Sequence, residues 1–234
     1  MYQTFVKPIA ALKEDETRHI VQLYLSYYDG SDAVQVVSDL KKKTGILLLY
    51  HNETLVGFTS FELYEFFYEG TKKQIIYSGD TIVHQKHWGQ QALSRAWIRY
   101  IGQLKQLVNN TPIYWFLIVK GHRTYKFLPA FTKSFFPHWE VDRSDLKPLL
   151  DALAKEKFAE LYDEKSGLIR FEKSMGHLKQ EIAVISDNEL KKESVSFFVR
   201  SNPNYHMGDE LACICEFDDA NLRTFTKRIL YTQV

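Results

Sequence analysis

The stretch that most constrains this chain is 77–100, Y-S-G-D-T-I-V-H-Q-K-H-W-G-Q-Q-A-L-S-R-A-W-I-R-Y. A β-branched segment ending at Val83 passes through a polar turn with one glycine, Gly89, into a segment where Ala92, Leu93, Trp97 and Ile101 recur at helical spacing. A strand that feeds a turn and then a helix leaves the first N–H groups of the helix without intrahelical partners, all pointing at one spot. The helix dipole makes that spot attractive to phosphate. The spacing therefore predicts a ligand site at this turn.

Composition narrows the class of function. The chain has 234 residues, 45% hydrophobic and 25% charged, enough for one sizeable core or one domain with a smaller appendage. Lys and Arg total 30 against 29 acidic residues, so no global positive field draws the chain to nucleic acid. The first residues, M-Y-Q-T-F-V-K-P-I-A-A-L-K-E-D-E, lack the basic start and long apolar run of a signal peptide. No segment approaches the length of a membrane span, and a cytoplasmic protein is expected. Cys213 and Cys215, in L-A-C-I-C-E-F, fall on one face of an expected strand and read as two buried thiols rather than a disulfide framework.

The element order is mixed. Residues 14–28 carry an amphipathic pattern that stops at Asp29-Gly30, a helix with a glycine terminator. Residues 31–43 predict a second helix with Ser31 or Asp32 as N-cap. Residues 45–50 and 55–64, separated by H-N-E-T, predict an antiparallel hairpin. The stretch F-F-Y-E-G-T-K-K-Q reads as a second connection, leading into a central strand over 75–83. After the helix that follows Gly89, Asn109-Asn110-Thr111-Pro112 breaks the pattern, and 113–119 is a continuous apolar run suited to a strand covered on both faces. Residues 122–135 predict another helix, ended or kinked by Pro129.

That order, with the turn at its centre, resembles the GNAT superfamily of acyl-CoA-dependent N-acyltransferases over roughly residues 14–136. The resemblance implies an α/β fold: a mixed, mostly antiparallel central sheet flanked by helices. In that family a strand ends in a bulge and runs into a Q/R-x-x-G-x-G/A turn whose N–H groups hold the pyrophosphate of coenzyme A. Two registers are open here, Lys86, Gly89 and Gln91, or Trp88, Gln91 and Leu93, and neither satisfies the whole motif. The resemblance implies acetyl-CoA or a longer acyl-CoA as cosubstrate, contacted by Ile82, Val83, Lys86, Trp88, Gly89, Gln90, Gln91 and Ala92, and a small-molecule amine or amino-acid-like acceptor.

It also implies direct attack of the amine on the thioester. A backbone N–H near the bulge, expected over 81–83, polarises the carbonyl. Glu62, Glu65, Asp80 and His84 are candidate bases, and Tyr125 is the candidate acid that reprotonates the thiolate. The family tyrosine usually falls about one turn later, where this chain has Leu128 or Pro129.

Blander readings compete with these. Glu62 and Glu65 are expected on opposite faces of a strand, where they cannot act as a pair. His84 and His87 have a metal-like H-x-x-H spacing, but no third ligand accompanies them, and no metal is expected. Aromatics form 15% of the chain and cluster in F-T-S-F-E-L-Y-E-F-F-Y and F-L-P-A-F-T-K-S-F-F-P-H-W, as an aromatic core or as the lining of an apolar channel.

Beyond residue 140 the pattern exceeds a minimal acyltransferase. Helices are expected over 145–162 and 174–182, a strand over 210–217 and a last helix over 219–231. We read a single domain with a core of 14–139, an insertion of 140–207, and a closing strand and helix over 208–234. Two functions stay open: an N-acyltransferase, and a catalytically inactive protein of the same fold that binds a ligand or a protein partner.

Overall fold

Ile46, Leu47, Leu48 and Leu49 are all wholly buried in the strand Gly45–His51, as a strand covered on both faces requires. In the computed structural model of the chain, which describes residues 1–108, 111–172 and 174–232, this strand belongs to a mixed α/β fold of mostly antiparallel strands flanked by helices. Contacts group the chain into two units. One is Met1–Ser26, Asp32–Ile113 and Thr224–Val234; the other is Tyr27–Ser31 and Tyr114–Arg223.

The first unit contains the strands Tyr2–Pro8, Gly45–His51, Thr54–Tyr68 and Thr71–Val83, paired in that order and all antiparallel. The first of them was not foreseen, because its alternation carries no buried apolar face. It is held by its ladder with Gly45–His51, and Lys7 adds a polar contact: the buried Glu16 carboxylate accepts from Lys7 Nζ at 2.6 Å, the Lys13 N–H at 3.0 Å and the Tyr50 hydroxyl at 3.0 Å. The expected helix at 14–28 is Glu14–Tyr27, and Asp32 caps Ala33–Lys41 by accepting from the Gln35 N–H at 2.8 Å.

The turn at H-N-E-T is a two-residue one, with Asn52 and Glu53 both at positive φ. The second connection is much shorter than expected. F-F-Y and T-K-K-Q are strand residues, and only Glu69 and Gly70, again both at positive φ, make the turn. A Lys72–Glu65 ion pair at 2.8 Å links the two strands near the tip. Asn109 and Asn110, in the expected break, lie outside the described residues. The helix Ala92–Leu107 buries Leu93, Ala96, Trp97, Ile98 and Ile101, with Trp97 against Phe61, and packs Gly102 against the backbone of Leu230 in the helix Thr224–Leu230.

In the second unit the strand Ile113–Val119 pairs with Glu210–Glu216, setting Leu117 opposite Cys213 and Trp115 opposite Cys215. The two-residue strands Leu168–Ile169 and Tyr162–Asp163 extend this ladder. Both cysteines are free and buried. Four expected elements need correction. Residues 122–135 form two short helices, His122–Tyr125 and Phe127–Phe131, rather than one. Pro129 has no N–H to donate to the carbonyl of Tyr125, where the first of them ends, so the interruption falls where the expected break by Pro129 puts it. The helix expected at 145–162 is Lys147–Phe158, ended by Ala159 at φ 46°. The one expected at 174–182 is a strand, His177–Leu178, and a short helix, Gln180–Ala183, because Gly176 at φ 114° cannot continue a helix. The last helix begins only at Thr224, since the Asn221 N–H is held in a turn by Asp218. A further helix, Glu193–Ser201, was not foreseen.

Candidate functional site

The strand Thr71–Val83 is not regular. Its pairing with Thr54–Tyr68 sets Thr59 opposite Thr81 but Phe61 opposite Ser78, so Ser60 alone faces both Gly79 and Asp80. This is a bulge, and it lies at Gly79 and Asp80 rather than over 81–83 as expected. A Cβ at Gly79 would stand 2.5 Å from Ser60 Oγ and 2.7 Å from Lys43 Cε, so glycine is what allows Ser60 and the buried Lys43 stem to approach the bulge. The Lys43 ammonium pairs with Asp39 at 3.2 Å and lies 5.0 Å from the centre of the Tyr77 ring. Asp80 is at the bulge itself, and Glu62 pairs in register with Tyr77.

Beyond the bulge, Ile82 is buried opposite Phe58 and Val83 faces Gly57. The His84 N–H still donates to Val56 O at 2.8 Å, one bond past the end of the strand. A single 3-10 turn, Gln85–His87, follows. The Trp88 indole then folds back and donates to Val83 O at 2.7 Å, which closes the turn against the strand it leaves. Gly89 has φ 85° and open space where a Cβ would be. A side chain is disfavoured there by conformation and not by crowding.

The next residues organise the helix start. Gln90 Oε1 accepts from the Ala92 N–H at 2.6 Å and approaches the Leu93 N–H at 3.4 Å. Gln91 Oε1 accepts from the Arg95 guanidinium at 2.9 Å. Lys86 is exposed on the same turn. The helix N-terminus thus points its donors at one place, as expected, and part of that donor set is held by the chain's own amide oxygen. Nothing in the sequence pattern reveals this bond, because glutamine two residues before a helix start is not a preferred cap.

Tyr125 belongs to the second unit, where it is wholly buried among Phe135, Trp139, Phe197 and Phe198. Its hydroxyl donates to Pro137 O at 2.8 Å, and burial raises its proton affinity far above that of an ordinary phenol. This is the environment of a packed, hydrogen-bonded core tyrosine. Nearby, His122 is buried and burial lowers its pKa to about 4, despite the Glu189 carboxylate at 3.2 Å. A neutral imidazole therefore hydrogen-bonds Glu189, and the ion pair of that carboxylate is with Lys126 at 2.8 Å.

Among the described residues no group of three or more His, Cys, Asp or Glu is placed to hold a metal ion, and no helix is long and apolar enough to cross a membrane. No protein-family model and no curated protein sequence matches the chain. Among solved structures, it is similar to a GNAT family N-acetyltransferase, YhbS, from Escherichia coli in complex with CoA, at 15% identity over 56% of this chain and 69% of that one, with a TM-score of 0.38. An acyl-CoA N-acyltransferase from Pseudomonas aeruginosa matches at 18% identity over 56% of this chain and 88% of that one, with a TM-score of 0.40. Arabidopsis thaliana NAA60 in complex with acetyl-CoA matches at 10% identity over 55% and 86%, with a TM-score of 0.39.

Proposed function

We propose that this protein transfers an acyl group from an acyl-coenzyme A thioester to a small-molecule amine or amino-acid-like acceptor, as a single N-acyltransferase-like domain working in the cytoplasm. One observation carries the reading: along a single path of backbone, a bulge at Gly79 and Asp80 leads to a left-handed, unobstructed Gly89 and then to the N-terminus of the helix Ala92–Leu107. Such a path presents N–H donors to a pyrophosphate with no side chain at Gly89 in the way. It favours the register Lys86, Gly89 and Gln91, since Leu93 of the other register is buried in the helix. Acetyl-CoA or a longer acyl-CoA would then be held by the backbone from Ile82 and Val83 through Trp88, Gly89, Gln90, Gln91 and Ala92, with the Lys86 ammonium beside it.

In the reaction the acceptor nitrogen attacks the thioester carbonyl carbon. The C–N bond forms, the C–S bond breaks, and the coenzyme leaves as a thiolate that takes up a proton. Asp80 at the bulge and Glu62 on the neighbouring strand are the groups we assign to receiving the proton lost by the amine; His84 is left out, because its Nδ1 already accepts from the Lys86 N–H. The reading leaves Tyr125 out of the proton path, as a packing residue.

A second reading, an inactive protein of this fold that binds a ligand or a protein partner, is favoured by the Gln90 bond, which fills donors that a pyrophosphate needs. Calorimetry with acetyl-CoA and a longer acyl-CoA separates the two. The native protein is compared with Gly89→Ala and Gly89→Trp, which share the backbone strain but differ in the space they fill. Saturable binding that survives in the alanine variant and is lost in the tryptophan variant supports the transferase. Absence of binding by a folded native protein supports the inactive reading.

A further inference from the structure

Four rings gather where the first strand, the end of the second and the turn after Val83 meet, all within the first unit. Tyr2 lies 4.7 Å from His51 and 5.7 Å from His87 between ring centres; His51 lies 5.0 Å from His87, and His84 lies 6.0 Å from it. The Tyr2 hydroxyl and His87 Nδ1 share a hydrogen bond of 2.9 Å. His84 Nδ1 accepts from the Lys86 N–H at 3.3 Å, which puts the proton of the neutral His84 ring on Nε2. Among the described residues neither ring nitrogen of His51 has a hydrogen-bond partner, nor has Nε2 of His84 or of His87. Several imidazole nitrogens are therefore left to be donors.

The charges that act on His87 share one sign. The proton affinity of His87 is lowered by partial burial, then by His51 across from it and by His84 and Lys86 on its own turn, and no carboxylate acts on it. Protonated imidazoles packed this closely repel one another unless a counter-charge sits among them. An anion with several acceptor oxygens would supply that counter-charge.

We propose that His51, His84, His87 and Lys86 form a subsite for a phosphate-type dianion, with Tyr2 holding His87 in place. It rests on the acyltransferase reading in one respect: coenzyme A carries a ribose 3′-phosphate besides its pyrophosphate, and this subsite lies on the same turn as the residues assigned to the pyrophosphate. A free phosphate ion has the same chemistry. Binding of a dianion draws protons onto the rings, so affinity rises as the pH falls.

The test uses sulfate, a dianion throughout the range, titrated into the native protein at constant ionic strength at pH 5.5 and 8 while the imidazole resonances are followed by NMR. The expected result is saturable binding about tenfold or more tighter at pH 5.5, with the His87 midpoint moved upward by about one unit in saturating sulfate. His51→Gln and Lys86→Gln should each weaken the binding several-fold. Imidazole midpoints unmoved by sulfate in the native protein would overturn the proposal, and that readout needs no variant to fold. Coenzyme A is then compared with dephospho-coenzyme A. A preference for coenzyme A that grows at low pH identifies the 3′-phosphate as the occupant. Equal affinities alongside sulfate binding identify free phosphate, and sulfate binding without either coenzyme leaves the subsite standing while the acyltransferase reading fails.

Discussion

The amide oxygen of Gln90 lies 2.6 Å from the backbone nitrogen of Ala92, so the helix that begins at Ala92 is capped by a side chain from the turn before it. A pyrophosphate bound at this helix start would compete with that oxygen for the same N–H. Gln90→Ala is therefore expected to lower the stability of the ligand-free protein by about 1 kcal/mol, the usual cost of losing a cap. It is also expected to enlarge the stabilisation that saturating acyl-CoA provides. Thermal melts of both proteins, with and without the thioester, check the two effects together; a variant that melts with the native protein in both conditions would show that the bond matters to neither.

Tyr125→Phe removes the hydroxyl that donates to Pro137 O and leaves the ring among its aromatic neighbours. A loss of about 1 kcal/mol in urea unfolding is expected, with the half-buried Pro137 carbonyl left without this donor. Any acyl-transfer rate the native protein shows should survive in the variant. A rate reduced by orders of magnitude at unchanged stability would return this tyrosine to the proton path.

Buried His122 makes stability depend on pH with a definite sign. Its pKa is lowered from 6.5 to about 4 in the folded protein, so below about 6.5 the unfolded chain takes up the proton and the folded one does not. Stability is expected to fall as the pH drops from about 6.5 to about 4, by on the order of 3 kcal/mol at about 1.4 kcal/mol per unit. Glu189, held down to about 2 chiefly by its hydrogen bond from Lys126, adds a loss only below its unfolded value of about 4.5. His87 and His138 act with the same sign as His122, through burial first. Denaturant unfolding from pH 7.5 to 4.5, compared between native and His122→Gln proteins, isolates the largest contribution; parallel curves would reject it.

Gly102 faces the backbone of Leu230, and a Cβ there would collide with the Leu230 carbonyl. Gly102→Ala should cost about 1–3 kcal/mol, as overpacking does, although alanine is the better helix former. The hydrogen-exchange protection of Thr224–Leu230 should fall more than that of Gly45–His51, because the helix that must move is the one in contact.

Cys213 and Cys215 are wholly buried, and burial raises the pKa of the Cys215 thiol and that of Cys213 alike. Neither thiol should react with an aromatic disulfide reagent at pH 8 until the protein is unfolded, when both should react. Rapid modification of the native protein would contradict their burial in Glu210–Glu216.

Much of the path through the candidate site was legible in advance because its signals are local. The strand ending at Val83, the single glycine in the turn and the helical recurrence of Ala92, Leu93, Trp97 and Ile101 each depend on neighbours within one or two turns of chain, and so do the Asp32 cap and the tight turn at Asn52 and Glu53. The first strand escaped because its pairing partners lie some forty residues away and its own faces stay largely exposed. The helix expected at 174–182 failed because a spacing pattern does not register the backbone conformation that Gly176 adopts.

What the amino-acid order determined, then, is the succession of the main elements from Glu14 to Val119 and the character of the turn between Val83 and Ala92. Tertiary structure alone decided three things. The bulge sits at Gly79 and Asp80, since its position depends on which residues of Thr54–Tyr68 come to face them. Tyr125 is sealed among aromatic side chains that come from residues 135–198, a matter of packing rather than of helical phase. Tyr2, His51, His84 and His87 meet although up to 85 residues separate them, because antiparallel pairing sets Tyr2 opposite His51 while the turn carries His87 back to both. Periodicity reports which face of an element is buried, and only the pairing of distant segments reports what that face meets.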